Sequence, residues 1–197
     1  MTRLAAWLVL AAALGGCAVA PVAPPPVVPV DPAAFPQWTA SGRLALAANG
    51  EGGSGSFTWE QRNDATTLSI RGPLGAGAMQ VLSDGQSLSV TDGEGRRLDT
   101  AETQALLRQR LGADLPWTDL RYWMLGVPSP RAPSSVADAR QAPLRVIEQS
   151  GWTIGYDSFT PAAGTSLPGR FTATQGGVRL KVIVDDWRVA AAAGQGP

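Results

Sequence analysis

The chain has 197 residues, and its 16 Lys and Arg balance its 16 Asp and Glu, so the formal net charge is zero at pH 7. This length suits one domain with its own hydrophobic core. The neutral balance argues against nucleic acid as a partner, which needs a basic face. The absence of histidine excludes a Ser-His-Asp triad. We therefore expect no nucleic-acid partner, no enzymatic activity or catalytic residue, and no metal.

The first sixteen residues have the layout of a secretory signal. Arg3 precedes an apolar run that ends at Leu14, and a run of about eleven residues is too short to span a bilayer. The run leads into the letters LGGC, which resemble a bacterial lipobox and end at Cys17. We predict that residues 1–16 are a lipoprotein signal peptide and that Cys17 carries the lipid anchor. The alternative is a plain secretory signal with an incidental cysteine.

A proline-rich stretch follows, from Cys17 to Pro36. Closely spaced prolines favour neither helix nor central strand, so we predict a semi-rigid tether that extends about 3 Å per residue. The folded domain is expected over residues 37–190. The last seven residues, 191–197, show no core pattern and are expected to be a disordered tail.

In the first half of this domain, apolar residues recur mainly at every second position. Alternating apolar and polar residues, separated by Gly, Asp and Asn, predict antiparallel strands joined by hairpins, with one apolar face. The letters GEGGSG, which begin at Gly50, match a nucleotide-binding pattern but precede a strand, so we interpret them as a hairpin loop. The apolar positions on the shared face are Leu44, Leu46, Phe57, Trp59, Leu68, Ile70, Met79 and Val81.

The loop between two of these strands carries an unexpected side chain. Its letters are RGPLGAGAM, and Pro73 and Gly75 are typical turn residues. Leu74 lies between them, where a polar residue would be usual. The isobutyl group either folds back onto the protein or is directed at something other than water.

The period then changes to that of helices. Thr100 is a candidate N-cap with Glu102 in the first turn, and a second short helix is expected between Pro116 and Gly126. A loop rich in Pro and Ser, residues 127–143, leads back to strands. Strands, two helices and strands again predict an α+β fold, mostly β, in which helices cover the apolar face of an antiparallel sheet.

Seven tryptophans are many for a chain with two tyrosines and four phenylalanines. One interpretation is that the indoles simply fill a core. The other is that they line an apolar cavity. The pattern of the sequence leaves both interpretations open.

Several of these segments together resemble the LolB family of outer-membrane lipoprotein receptors. They are the lipobox, GSGSFTWEQ, GPLGAG, LPWTDLRYWMLGVP, GWTIGYDSF and GGVRLKVIVDDW, in this order along the chain. The resemblance implies an unclosed antiparallel β-barrel, or half-barrel, with helices over its concave apolar face. It implies a monomer anchored to the periplasmic face of the outer membrane, without cofactor or nucleotide.

The resemblance also implies a function. Such a receptor accepts acylated lipoproteins from a soluble periplasmic carrier, LolA-like in fold, and inserts them into outer-membrane lipid. A leucine on a protruding loop is needed for insertion in this family, and Leu74, flanked by Pro73 and Gly75, occupies that place. Gly72 stands where the family has asparagine.

We therefore expect the apolar positions of the strands to line a cavity for acyl chains, with Trp123, Met124 and Leu125 as a helical lid. Two alternatives stay open. One is a shuttle for lipid or glycolipid that uses the same cavity. The other is a structural outer-membrane lipoprotein that supports an assembly machine, which would have a filled core.

Overall fold

The computed structural model describes residues 28–73, 77–111 and 115–190, and within them the predicted fold class is confirmed. Eleven strands form one antiparallel sheet that two α-helices accompany. The helices are α1 (Thr100–Leu111) and α2 (Trp117–Met124). The strands are β1 (Gln37–Ala48), β2 (Glu51–Arg62), β3 (Ala65–Arg71), β4 (Met79–Ser83), β5 (Leu88–Asp92), β6 (Arg97–Leu98), β7 (Ser134–Asp138), β8 (Arg145–Gln149), β9 (Trp152–Ala162), β10 (Thr165–Gln175) and β11 (Val178–Val189).

The order of the strands leaves the sheet open. It runs β6-β5-β4-β3-β2-β1-β11-β10-β9-β8-β7, so β6 and β7 are its edges. The first and last strands pair in the middle, where Leu44 lies opposite Val182. Residues from both wings of the sheet line one cavity. The sheet is therefore curved around that cavity as an unclosed barrel.

The hairpin of β1 and β2 shows how local sequence sets this curvature. Asn49 and Gly50 form its two-residue turn, both with positive φ, 53° and 81°, as the right-handed twist of paired strands requires. Of the glycine-rich stretch that we interpreted as a hairpin loop, Gly50 lies in this turn and the rest is the first half of β2. A Cβ on Gly42 would lie 2.0 Å from the carbonyl oxygen of Ile183. Glycine there permits the bulge at which the register of β1 and β11 shifts.

Two further expectations need correction. The loop predicted over residues 127–143 contains β7, an edge strand whose five residues are all exposed; it lacks the apolar alternation that would have revealed it. The N-cap of α1 is Asp99, not Thr100, because the Asp99 carboxylate accepts from the backbone N–H of Glu102. Val30, in the predicted tether, is buried, and the predicted domain boundary at residue 37 stays a prediction.

The short segment before β1 is a 3-10 helix, Pro32–Ala34, in which the Asp31 side chain accepts from the backbone N–H of Ala33. The predicted signal peptide, Cys17, the first part of the tether and the predicted tail lie outside the described residues. Neither α-helix in the described part of the chain has the length and apolar character needed to cross a membrane.

Candidate functional site

The concave face of the sheet encloses an apolar cavity of about 180 Å³. Its wall comes from β1–β5, from β9–β11, from α2 and Leu115 before it, and, among the described side chains of α1, from Thr103. Ten of the eleven positions predicted for the cavity lie on this wall. They are Leu44, Leu46, Phe57, Trp59, Leu68, Ile70, Met79, Val81, Trp123 and Met124. Whether they contact acyl chains stays a prediction.

Leu125 does not lie on this wall and corrects the predicted lid. It lines a separate groove beside Phe35, Trp38 and Tyr122. The reason is the position of the helix end: α2 stops at Met124, and Leu125 is its C-cap. Successive residues of a helix differ in direction by about 100°, so Leu125 points away from the wall that Trp123 and Met124 form.

The sequence analysis did not predict the part of the cavity wall that comes from the second half of the chain. It comes from strands at the other end of the chain and includes Trp152, Phe171 and Val182. The alternation in β11 was visible, but alternation does not tell which strands are neighbours. Pairing of β1 with β11 puts both halves of the chain on one concave face. The other wall residues not predicted are Leu88, Val90, Thr103, Leu115, Trp117, Leu120, Ala173, Val178 and Leu180.

Tryptophans form a continuous row that leads into the cavity. Trp59 and Trp117 stack with their ring centroids 5.8 Å apart and their planes 7° from parallel. Trp38 stacks on Trp59 at 5.9 Å and meets the edge of Trp187 at 5.3 Å. Of these four, Trp59 and Trp117 reach the cavity wall. The indoles thus both fill the core and line the cavity.

Two buried glutamines keep indole N–H groups off the cavity surface. Trp59 Nε1 donates to Gln61 Oε1 at 2.9 Å, and Trp123 Nε1 donates to Gln149 Oε1 at 3.0 Å. Gln61 Oε1 also accepts from the Thr66 hydroxyl at 2.7 Å. Because a buried N–H without a partner is costly, these bonds let the rings present only carbon to the cavity.

Besides the hydrogen bond between Trp123 and Gln149, further polar contacts fix α2 to the sheet. Arg121 donates to the Asp64 carboxylate and to the Asn63 carbonyl, in the turn between β2 and β3. At the C-terminus of the helix, the Tyr156 hydroxyl donates to the Trp123 carbonyl at 2.7 Å. Burial raises the pKa of the Tyr156 phenol, which keeps this donor protonated.

The turn that follows α2 is fixed by a buried guanidinium. Arg145 Nη1 donates to the Gly126 carbonyl at 3.1 Å. Its Nε and Nη2 atoms donate to the Asp138 carboxylate at 2.7 and 2.9 Å. These hydrogen bonds lower the pKa of Asp138. The pair links the end of α2 to β7 and β8, so the helix bridges both wings of the sheet.

The helix α1 is fastened at its first turn. Asp99 and Glu102 cap it reciprocally, because each side chain accepts from the other residue's backbone N–H at 2.9 Å. The Thr100 hydroxyl accepts from the backbone N–H of Leu88 and donates to its carbonyl, both at 2.8 Å. These contacts join α1 to β5, next to the cavity wall.

The predicted insertion loop lies in the chain between β3 and β4. Pro73 is exposed, whereas Leu74 and Gly75 lie outside the described residues. The strand positions that flank the loop, Ile70 and Met79, are paired across β3 and β4 and both lie on the cavity wall. Met79 is 38% exposed, so the cavity reaches the surface beside this loop.

Within residues 28–73, 77–111 and 115–190, no three His, Cys, Asp or Glu side chains are grouped closely enough to hold a metal ion.

Comparison with known proteins assigns this chain to one family. The family model described as "Outer membrane lipoprotein LolB" matches residues 36–187. An outer-membrane lipoprotein LolB of Halorhodospira halophila is 32% identical over 94% of this chain and 94% of its own length. One of Thiobacillus denitrificans is 33% identical over 96% of this chain and the whole of its own.

A solved structure shares the fold. A LolA superfamily protein from Nitrosomonas europaea superposes with a TM-score of 0.50 over 78% of this chain and 86% of its own, at 11% identity. The likeness supports the unclosed barrel with its covering helices.

Proposed function

The chain belongs to the LolB family of outer-membrane lipoproteins, and from that premise we propose that its cavity receives the acyl chains of lipoproteins on their way into the outer membrane. The protein is thus an outer-membrane lipoprotein receptor in lipoprotein localisation. The observation that carries the proposal is the apolar cavity under α1 and α2.

The energetics of acyl chains explain why such a cavity is needed. Each methylene exposed to water costs about 0.8 kcal/mol, so a chain of about 15 methylenes costs on the order of 12 kcal/mol. A lipoprotein cannot cross an aqueous space at that cost unless another apolar surface replaces the water. The ring faces and aliphatic side chains on the cavity wall supply that surface.

The volume of the cavity supports an opening movement of the protein. A cavity of about 150 Å³ holds one benzene molecule, and the cavity here is about 180 Å³. It therefore admits only part of one acyl chain as it stands. Accepting whole chains requires movement of a covering helix, and α1, fastened at its first turn, is the element we propose to move.

The donor of the cargo is, in this proposal, a soluble periplasmic carrier of LolA-like fold. Since the sequence contains no Walker motif, transfer proceeds downhill. The receptor must then hold acyl chains more tightly than the carrier does, and the bilayer more tightly still. We propose no catalytic step.

Delivery to the bilayer is assigned to the loop between β3 and β4. Leu74, at its tip in the sequence, would enter lipid first, and the cavity reaches the surface beside the loop at Met79. Acyl chains that leave the cavity there would pass directly into the membrane.

The test is a transfer assay with the full-length protein, an acylated lipoprotein bound to its soluble carrier, and liposomes. We expect Leu74→Glu to accept cargo normally but to deliver it to liposomes at least tenfold more slowly, because a carboxylate resists entry into hydrocarbon.

The matched control is Val136→Glu, which changes an exposed apolar residue in β7, at one edge of the sheet. It should deliver normally. Normal delivery by Leu74→Glu would refute the role of the loop. Failure of the unaltered protein to take cargo, together with binding of glycolipid, would favour a lipid shuttle instead.

The anchor has its own test. Cys17→Ala should release the protein from membrane fractions into the soluble fraction, because stable anchoring needs two or more acyl chains. Retention of this variant in washed membranes would show that Cys17 does not carry the anchor.

A further inference from the structure

The cavity wall contains one polar group without a partner. Thr103, in α1, is 1% exposed and lies on the cavity wall. Its Oγ1 has no hydrogen-bond partner among the described residues. Buried hydroxyls are nearly always satisfied, so an orphaned one on the wall of a cavity is a candidate contact for whatever the cavity binds.

The helix backbone does not satisfy this hydroxyl, and a water molecule beside it would find too few polar partners among the described residues. A threonine in a helix can donate to the carbonyl four residues earlier, but the Asp99 carbonyl accepts only the backbone N–H of Thr103, at 2.8 Å. A buried water needs two to four polar partners. The surface around Thr103 is almost wholly apolar, so a water there would have this hydroxyl alone.

The group that completes Thr103 must therefore arrive with a ligand. Acyl chains of lipoproteins are attached through ester or amide bonds, and each such bond brings a carbonyl oxygen that only accepts hydrogen bonds. When a chain enters an apolar cavity, this carbonyl loses its water. A hydroxyl donor on the wall would replace that lost hydrogen bond.

Resting on the proposed function, we infer that the Thr103 hydroxyl donates a hydrogen bond to the carbonyl oxygen of an acyl linkage of the bound lipoprotein. This bond fixes how deeply the chain enters, because the carbonyl stops at Thr103. It also makes the cavity prefer acyl esters and amides to ethers and plain hydrocarbon, which offer no carbonyl.

The test compares two synthetic lipopeptides on the full-length Cys17→Ala chain. In one, the N-terminal cysteine carries two palmitoyl chains through ester bonds; in the other, ether bonds replace the esters. A quencher on the chains reports binding through the fluorescence of wall tryptophans such as Trp59 and Trp117. The variants are Thr103→Val, which keeps the shape, and Thr103→Ser, which keeps the hydroxyl.

We expect Thr103→Val to bind the ester lipopeptide at least tenfold more weakly, equivalent to about 1.4 kcal/mol. Its affinity for the ether lipopeptide should be unchanged, and Thr103→Ser should restore the preference for esters. Because valine removes an unsatisfied polar group, the empty Thr103→Val protein should be as stable as its parent.

A spectroscopic signature separates this role from a purely structural one. With a ¹³C-labelled ester carbonyl, the infrared carbonyl band of the bound lipopeptide should lie at lower frequency in the parent protein than in Thr103→Val. Equal affinities for ester and ether lipopeptides, or the same carbonyl band in both proteins, would overturn the inference and leave the proposed function standing. Binding of neither lipopeptide would overturn both.

Discussion

The two helices that cover the cavity are held in different ways. The helix α2 is tied to the turn between β2 and β3 through Arg121 and to β9 through Tyr156, and the turn after it is tied to β8 through Arg145. The helix α1 is tied to β5 at its first turn, through Thr100. These contacts make α2 part of the frame that shapes the cavity, and we propose that α1 is the cover that moves.

The largest effect is expected when a tie of α2 is cut. Gln149 is buried and makes four hydrogen bonds, to Trp123, to both backbone groups of Ser129, and to the Ala132 carbonyl. Gln149→Leu leaves these groups without partners inside the protein, so we expect a loss of about 3 kcal/mol in the free energy of unfolding. Urea denaturation measures it.

The control for this prediction is the same substitution at an exposed position, Gln80→Leu in β4. It should change the free energy of unfolding by less than about 0.5 kcal/mol. If the two variants were equally stable, α2 would not depend on the buried glutamine for its place.

A smaller effect is expected where α1 is tied. Thr100→Val removes both hydrogen bonds to the Leu88 backbone. We predict a loss of about 1.5 kcal/mol in the free energy of unfolding, together with faster hydrogen exchange across α1. Thr100→Ser keeps the hydroxyl and should match the parent protein. Faster exchange in α2 rather than α1 would contradict the assignment of the movable cover.

The smallest effect concerns pH. The pKa of Asp138 is lowered in the folded protein by its hydrogen bonds with Arg145. The stability from this pair is therefore complete above the unfolded pKa of about 3.9 and is lost as pH falls through the lower folded value. Because the Asp138 side chain is half exposed, we expect Asp138→Asn to be less stable than the parent at pH 6 by under about 1 kcal/mol.

Unfolding measurements from pH 6 down to about pH 2 check this, with the two proteins becoming equal in stability at the acid end. A difference that stayed constant over this range would show that the charge of Asp138 is not what stabilises the turn after α2.

The sequence allowed most of this fold to be predicted, for physical reasons that also mark where prediction stopped. Alternation in the first strands predicted the cavity positions from Leu44 to Val81, because side chains in a strand alternate between faces. Pro116 and Gly126 bounded α2 correctly. Leu125 was misplaced because apolar character does not tell which of two apolar surfaces a residue at a helix end will join.

Contacts between residues far apart in the chain could not be predicted from such local patterns. The pairing of β1 with β11 brings Trp152 and Phe171 to the wall, and no local signal encodes which strands are neighbours. Thr103 was missed because an ordinary polar residue in a helix suggests an exposed face. The sequence did not indicate that Gln61 and Gln149 are buried either, because their hydrogen-bond partners lie on other elements or become neighbours only when the chain packs.

The central claim is that acyl chains enter the cavity when α1 moves and α2 stays. Hydrogen–deuterium exchange of the full-length Cys17→Ala chain, with and without the ester-linked lipopeptide, tests it most directly. We predict that bound lipopeptide changes exchange across residues 100–111 and leaves residues 117–124 unchanged. Bound lipopeptide with no change in α1, or with increased exchange in α2, would contradict the claim.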